Sequence, residues 1–324
     1  MITETLACLG RLTGFLRANR RSLPAVAIRY SLFAYIAGFT ISTNAAAQSC
    51  DTTGMAVQIL GSGGPRINEN RASTGYLVWV GNKGKILVDA GGGTFLRFGQ
   101  AGGRLEDLSL MAISHLHPDH VSDLPALLWL SNLARKEPLS IAGPSGGAVT
   151  PDFPVFLQRL FDEKAGVFPL LGGTLRGAGM GVPLNVTRLD ASKAEALSVL
   201  EHEGVRVTAL AVPHANIPSF AYRVQTPNGT VVFGSDQTGT NPHFVKFARG
   251  VDILVLHLTI GAGETSPLHA GPSIVGQVAR DVNARQLVLS HIGQFDLDAA
   301  VAEVKKAYKG PVMISADLQC VPAR

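Results

Sequence analysis

The stretch Ser114-His115-Leu116-His117-Pro118-Asp119-His120 constrains this chain more than any other. It crowds three of the nine histidines and one aspartate into six residues, directly after the apolar run Leu108–Ser114. Imidazoles this close repel one another once protonated, so the spacing suits neutral rings sharing a cation. Alternate residues of an extended loop point the same way, so His115 and His117 face one point while Asp119 and His120 turn to a neighbouring one. Any fold for this sequence must hold the loop at a strand end and bring it further ligands from distant positions.

Four other apolar runs end in the same manner. Lys85–Asp89 leads into Ala90-Gly91-Gly92-Gly93, Val205–Val212 into Pro213-His214, Val231–Ser235 into Asp236, and Gln286–Ser290 into His291. Strands that terminate in Asp or His place those side chains on one edge of their sheets, where a loop-lined site forms. Two cations about 3.5–4 Å apart need roughly seven ligands when they share a carboxylate. His115, His117 and His214 would serve one cation, and Asp119, His120 and His291 the other, with Asp236 between them.

The remaining pattern supplies a frame for that site. Further strands are expected at Val57–Leu60, Tyr76–Val80, Ala221–Gln225, Ile253–His257 and Val312–Ile314. Helices are expected at Thr94–Gln100, Val121–Ala134, Phe153–Phe161, Asn241–Ala248, Pro272–Val282 and Asp298–Tyr308. Hairpins come early and strand–helix alternation later, which predicts a layered α/β sandwich. The glycine-rich piece Leu171–Val182 reads as a surface loop or a mobile flap over a site.

Residues 1–47 read as an export signal: Arg17, Arg20, Arg21 and Arg29 precede the apolar run Tyr30–Ile41 and the small residues Ala45-Ala46-Ala47. Arg20-Arg21-Ser22-Leu23 resembles a twin-arginine signal, flanked imperfectly by Asn19 and Pro24. The apolar run is shorter than the about 20 residues of a membrane span, and an uncleaved membrane anchor is the alternative reading. No stable span is expected after cleavage, and the expected location is the periplasm or the medium.

The leader also carries the charge. Its five arginines and one acid, Glu4, account for the whole net charge of +4, leaving 23 basic and 23 acidic residues in 48–324. A neutral domain offers no electrostatic footprint for nucleic acid. Of the three cysteines, Cys50 and Cys320 remain; they would either pair in an oxidising compartment or stay as free thiols.

Taken in order, these motifs resemble the metallo-β-lactamase superfamily, in particular its ribonuclease Z and arylsulfatase-like branch. The glycine loop GSGGPRINENRAS (61–73), LVDAGGGT (87–94), SHLHPDH, VPHANIPSFAYR around His214, VVFGSDQTG around Asp236 and LVLSHIG around His291 carry the likeness. It implies a four-layer αββα sandwich over residues 48–324, with two zinc ions or other divalent metals on the seven residues above. For Asp89 it implies a supporting role, its carboxylate holding the histidine loop. His257 matches the start of a His-Glu pair, with Leu258 in place of the Glu. His269 matches a histidine that assists proton transfer to the leaving group, with Ala270 where Ser or Thr is usual; a structural role stays open beside the catalytic one. His202 and His243 read as surface residues.

The chemistry expected is metal-dependent hydrolysis, with Asp119 both binding metal and orienting the nucleophile. The leading expectation is a small-molecule ester substrate of the arylsulfatase or esterase kind, with Ile217, Pro218, Phe220 and Phe295 either walls of an apolar pocket or ordinary core residues. Ribonuclease Z-like phosphodiester cleavage is an alternative. Only 21 residues separate His214 from Asp236, too few for the tRNA-binding arm of ribonuclease Z, so no nucleic-acid partner is expected. A β-lactamase or lactonase is a further alternative, although typical β-lactamases lack a carboxylate such as Asp236. A ligand-binding protein on the same fold is the non-enzymatic one, and a homodimer stays open.

Overall fold

The computed structural model describes residues 50, 53–130, 135 and 137–323. The expected leader, residues 1–47, lies outside the described residues, as does the segment 131–134 at the end of the expected helix Val121–Ala134.

Two seven-stranded sheets face each other. The first holds β1 (Met55–Gly61), β2 (Gly75–Val80), β3 (Lys83–Val88), β4 (Leu110–Ala112), β5 (Leu139–Pro144), β6 (Leu184–Leu189) and β14 (Cys320–Pro322), in the order β14-β1-β2-β3-β4-β5-β6. The second runs β13 (Val312–Ile314), β12 (Gln286–Ser290), β11 (Ile253–His257), β10 (Gly229–Phe233), β9 (Ser219–Thr226), β8 (Val205–Val212), β7 (Leu197–His202). Strands β3 to β6 are parallel, as are β10 to β13, while β8 returns to that direction through the antiparallel β9. The carboxyl ends of β3, β4, β8, β10 and β12 are where the five polar clusters emerge, the edge at which open α/β sheets place their ligands.

Alternation along the strands generates the layers. In β1, Met55, Val57 and Ile59 enter the core between the sheets, whereas Ala56 and Leu60 face outward under helices. That outer core is completed by Phe98 of α1 (Thr94–Gln100), Leu124, Leu127 and Leu128 of α3 (Leu124–Leu130), and Phe153, Leu157 and Phe161 of α4 (Phe153–Phe161). On the far side, α6 (Phe244–Ala248), α7 (Pro272–Val282) and α8 (Leu297–Ala307) cover the second sheet through Phe244, Val275, Val278 and Val304. Three apolar cores between four layers make an αββα sandwich, the metallo-β-lactamase fold.

Several local expectations are corrected. The helix expected from Val121 is two elements, α2 (Pro118–Val121) and α3, separated at Ser122-Asp123. Asp123 Oδ2 instead accepts the Gly93 and Phe95 amides at 2.8 and 2.9 Å, which ties the start of α1 to the histidine loop. The segment Leu171–Val182 contains the short helix α5 (Gly173–Arg176), and its ends are not surface: Leu171, Thr174 and Val182 are buried. Strands β5, β6, β7 and β14 escape the sequence pattern. β6 and β7 have mostly polar or half-exposed residues, and β14 is three residues long. Cys50 and Cys320 form a disulfide beside the β1–β14 pair. Among the described residues no helix is long and apolar enough to cross a membrane.

Candidate metal centre

The clusters at the five strand ends meet. His115 Nε2, His117 Nδ1, His214 Nε2 and an Asp236 oxygen form one group of donors, and Asp119, His120 and His291 form a second, each with its ligand atoms within 4.8 Å of one another. In the first, His115 Nε2 lies 3.0 Å from His117 Nδ1, His214 Nε2 lies 3.4 Å from His117 Nδ1, and both Nε2 atoms lie 3.6 Å from Asp236 Oδ2. In the second, His291 Nε2 stands 3.2 Å from His120 Nε2 and 3.1 Å from Asp119 Oδ2. Asp236 reaches this set too, with Oδ2 at 3.8 Å from His120 Nε2 and Oδ1 at 3.5 Å from His291 Nε2. Donors bound tetrahedrally at about 2.0–2.1 Å stand roughly 3.3 Å apart, which both sets approach.

The outer partners aim these donors. Asp89, 1% exposed, accepts the Ser114 amide and hydroxyl through its two oxygens at 2.7 and 2.8 Å, and lies 2.8 Å from His120 Nδ1. His214 Nδ1 meets the Leu268 carbonyl at 2.8 Å, His291 Nδ1 meets Thr259 Oγ1 at 2.9 Å, and His115 Nδ1 meets Ser114 Oγ at 3.0 Å. With the Nδ1 protons engaged there, the Nε2 lone pairs converge on the interior. The His120 and His291 Nε2 atoms face one another at 3.2 Å, a repulsive pairing unless a cation or proton lies between them. The donor set therefore fits a pair of divalent ions.

Electrostatics agree with that reading. Burial is the largest influence on His115, His117 and His214 and lowers all three below the ordinary 6.5, so the rings are neutral donors. Burial also disfavours charge on His120, but Asp89, Asp236 and Asp119 outweigh it and raise this ring to about 9. Without a cation, His120 thus carries the proton that separates it from His291. Burial pushes Asp119 and Asp236 upward, yet the histidines around them prevail, holding Asp119 at about 2 and Asp236 well below the usual range. Both carboxylates are anionic near neutral pH.

The backbone here is strained. Asp89, His291, Ser235 beside Asp236 and Ala215 beside His214 all have left-handed φ, between 48° and 58°. Non-glycine residues in such regions cost about 1–3 kcal/mol each and persist where surrounding structure dictates them. Two glycines permit close approach: a Cβ on Gly91 would lie 2.0 Å from the Asp119 carbonyl oxygen, and one on Gly64 would lie 2.9 Å from His291 Nδ1.

His257 and His269 also join the cluster. His257 Nδ1 lies 2.5 Å from Asp236 Oδ1, too short for two ligands of one ion and right for a hydrogen bond. His269 lies beside the cluster, its buried Nδ1 3.8 Å from Asp236 Oδ2 and without a hydrogen-bond partner, and burial lowers it to about 4. His202 and His243 are exposed. The expected apolar wall is corrected: Phe220 belongs to the core between the sheets, and Phe295 packs at the margin of the α7–α8 core. Ile217 and Pro218 instead line an open groove of about 600 Å³ beside His214, together with Lys193, Asn216 and His243. The sequence offered no sign of Tyr76, whose hydroxyl reaches His257, because it reads there as one more aromatic strand residue.

Comparison with known proteins places this geometry. The family model for the β-lactamase superfamily domain matches residues 85–292. A ribonuclease Z of Mycobacterium sp. (strain KMS) is 30% identical over 189 residues, 56% of this chain and 60% of the relative, so the match spans about 60% of that relative's length. Among solved structures, the metallo-β-lactamase fold protein YhfI from Bacillus subtilis superposes with a TM-score of 0.64 at 21% identity, covering 82% of this chain and 98% of its own. The short form of human tRNase Z gives 0.63 at 20% identity, covering 83% and 99%. The chain belongs to the β-lactamase superfamily.

Proposed function

We propose that this protein is a dinuclear zinc phosphodiesterase of the ribonuclease Z type, with His115, His117 and His214 on one ion, Asp119, His120 and His291 on the other, and Asp236 shared. The observation that carries this reading is the Asp236 carboxylate standing within 3.8 Å of ring nitrogens from both donor sets. Relatives named ribonuclease Z favour a phosphodiester, and a structural neighbour described as a diphosphatase of the PhnP family favours a phosphoryl substrate, over the sulfate and carboxylic esters expected from sequence. Two ions, when bound, supply Lewis acidity and lower the pKa of a coordinated water towards neutrality.

The chain's own residues do the rest. Asp119, half-buried and anionic, would orient the attacking water by accepting a hydrogen bond from it. Asp89 fixes the His115–His120 loop through Ser114 and His120. His269, whose buried Nδ1 has no hydrogen-bond partner and lies 3.8 Å from Asp236 Oδ2, is the candidate to protonate the departing oxygen, which requires a bound anionic substrate to raise it from about 4. The groove at His214 has Lys193 in its wall and no carboxylate side chain among its lining residues, which suits an anionic substrate.

We also read residues 1–47 as a leader and the site of action as the periplasm or the medium. The Cys50–Cys320 disulfide supports this, since such bonds persist in oxidising compartments. A small phosphodiester outside the cytoplasm is then the substrate class, in preference to precursor tRNA. The test sets purified protein against bis(p-nitrophenyl) phosphate, p-nitrophenyl sulfate, p-nitrophenyl acetate and a 3′-extended tRNA, with and without chelator. Chelator-sensitive turnover of the diester is expected. Preferential sulfate or acetate turnover would reject the phosphodiester assignment, efficient tRNA processing would reject the small-substrate one, and chelator-insensitive turnover would reject the metal mechanism.

A further inference from the structure

Tyr76 sits on β2, in the opposite sheet from Asp236, His257 and His291, and is 1% exposed. Its side chain crosses the core between the sheets, and its hydroxyl reaches the carboxyl ends of β11 and β12, 3.2 Å from His257 Nε2 and 3.0 Å from Ser290 Oγ. His257 is held at both ends: Nε2 faces the phenol and Nδ1 lies 2.5 Å from Asp236 Oδ1. Its ring also stacks on His291, with centroids 4.4 Å apart and planes within 9°. One imidazole therefore touches the shared carboxylate and a donor of the second set. Its own orientation depends on a hydroxyl delivered from the other sheet.

We propose that Tyr76 is a positioning residue of the metal centre, which through His257 holds the Asp236 carboxylate in the orientation that serves both ions. Burial raises the phenol far above its ordinary value, so it stays a neutral hydrogen-bonding group at any working pH. The aromatic ring is fixed independently by Phe233, whose centroid is 5.1 Å away. Replacing Tyr76 with Phe thus removes the oxygen alone. His257 Nε2 then loses its partner, and nothing else recorded in the structure bonds that nitrogen. With the ring free to turn, the hold on Asp236 Oδ1 relaxes.

The inference rests on the dinuclear reading above, and the experiment separates the two. Metal content and chelator-competition affinity for Zn²⁺ are measured on wild type, Tyr76→Phe, His257→Gln, the double variant, and Tyr308→Phe. Tyr308 is a buried tyrosine whose hydroxyl donates to the Ala284 carbonyl, and it controls for loss of a buried hydroxyl. Loss of a supporting group typically weakens metal binding about 10–100-fold, and a group one step further out is expected near about 10-fold. Tyr76→Phe should weaken the more loosely held ion by that factor while Tyr308→Phe leaves it unchanged. In the His257→Gln background the Tyr76 effect should vanish, since both act through one contact. Wild-type affinity in Tyr76→Phe, or full additivity in the double variant, would overturn the proposal while leaving the metal centre standing. A wild-type chain that binds no Zn²⁺ would overturn the dinuclear reading itself. Should Tyr76→Phe fail to fold, His257→Gln with unaltered affinity overturns the proposal as well.

Discussion

At the scale of single residues, the site depends on side chains that each face two ways. The inner nitrogen of His115, His120, His214 or His291 points at the cluster, while the outer one meets Ser114, Asp89, the Leu268 carbonyl or Thr259. Asp236 is the residue on which both donor sets depend. Asp236→Asn keeps the shape and removes one negative charge, so the two sets lose their common anion. Metal content is expected to fall from two ions to one or fewer per chain, with hydrolysis reduced by more than about 100-fold, the upper range for supporting groups. Elemental analysis of dialysed protein with parallel kinetics checks this; two retained ions at wild-type affinity would show that Asp236 is dispensable as a bridge. The metal-ligand residue types were legible in sequence because they are rare and costly to bury. Tyr76 and Thr259 were not, since a tyrosine or threonine after or within an apolar strand has an ordinary packing explanation.

At the scale of elements, the glycine loop 61–73 is the least replaceable connection. Gly63 bridges both Ser73 and Ile292, the residue after His291, and Asp317 clamps the loop by accepting the Ser62 and Ala72 amides at 3.1 and 2.8 Å. Arg97 of α1 pairs with the same carboxylate at 3.1 Å. Gly64 has no Cβ where one would meet His291 Nδ1 at 2.9 Å, so Gly64→Ala must displace the ring or the loop. The variant is expected to fold, because the closest contact is with a side chain and not with backbone, but to bind Zn²⁺ at the second set at least about 10-fold more weakly. Calorimetric titration resolves the two ions, and an unchanged second isotherm would count against this packing argument. The broken helix at Ser122-Asp123 teaches the same lesson. Its apolar periodicity runs on in sequence, yet Asp123 leaves it to bind the first amides of α1.

At the scale of the whole molecule, stability of the metal-free protein should depend on pH through the same cluster. His257 and His269 titrate at about 3 and about 4 when folded, chiefly because burial disfavours their charge, against 6.5 in the unfolded chain. His115, His117 and His214 shift the same way. As pH falls below 6.5 the unfolded chain binds protons first, so stability declines. His120 has the opposite sign: its folded value of about 9 contributes stability that is complete below 6.5 and is lost as pH rises through 9. The melting temperature of chelator-treated protein should therefore peak near pH 6.5, and Zn²⁺ should raise it most on the alkaline side, where protons no longer compete. A profile flat from pH 5 to 9 would contradict this charge arrangement.

By itself, the sequence determined the candidate donors, the strand ends that carry them and the layered class of fold. Those are local facts: an alternating apolar run marks a strand, and a histidine or aspartate just past its end marks the edge. Only the tertiary structure decided that β5, β6, β7 and β14 complete the sheets, that Cys50 meets Cys320 across 270 residues, and that Tyr76 reaches His257 from the opposing layer. The edge strands β6 and β7 have exposed faces and leave no alternating signature, the inner strand β5 ends in Gly143-Pro144, and contacts between distant residues exist only once two sheets have packed.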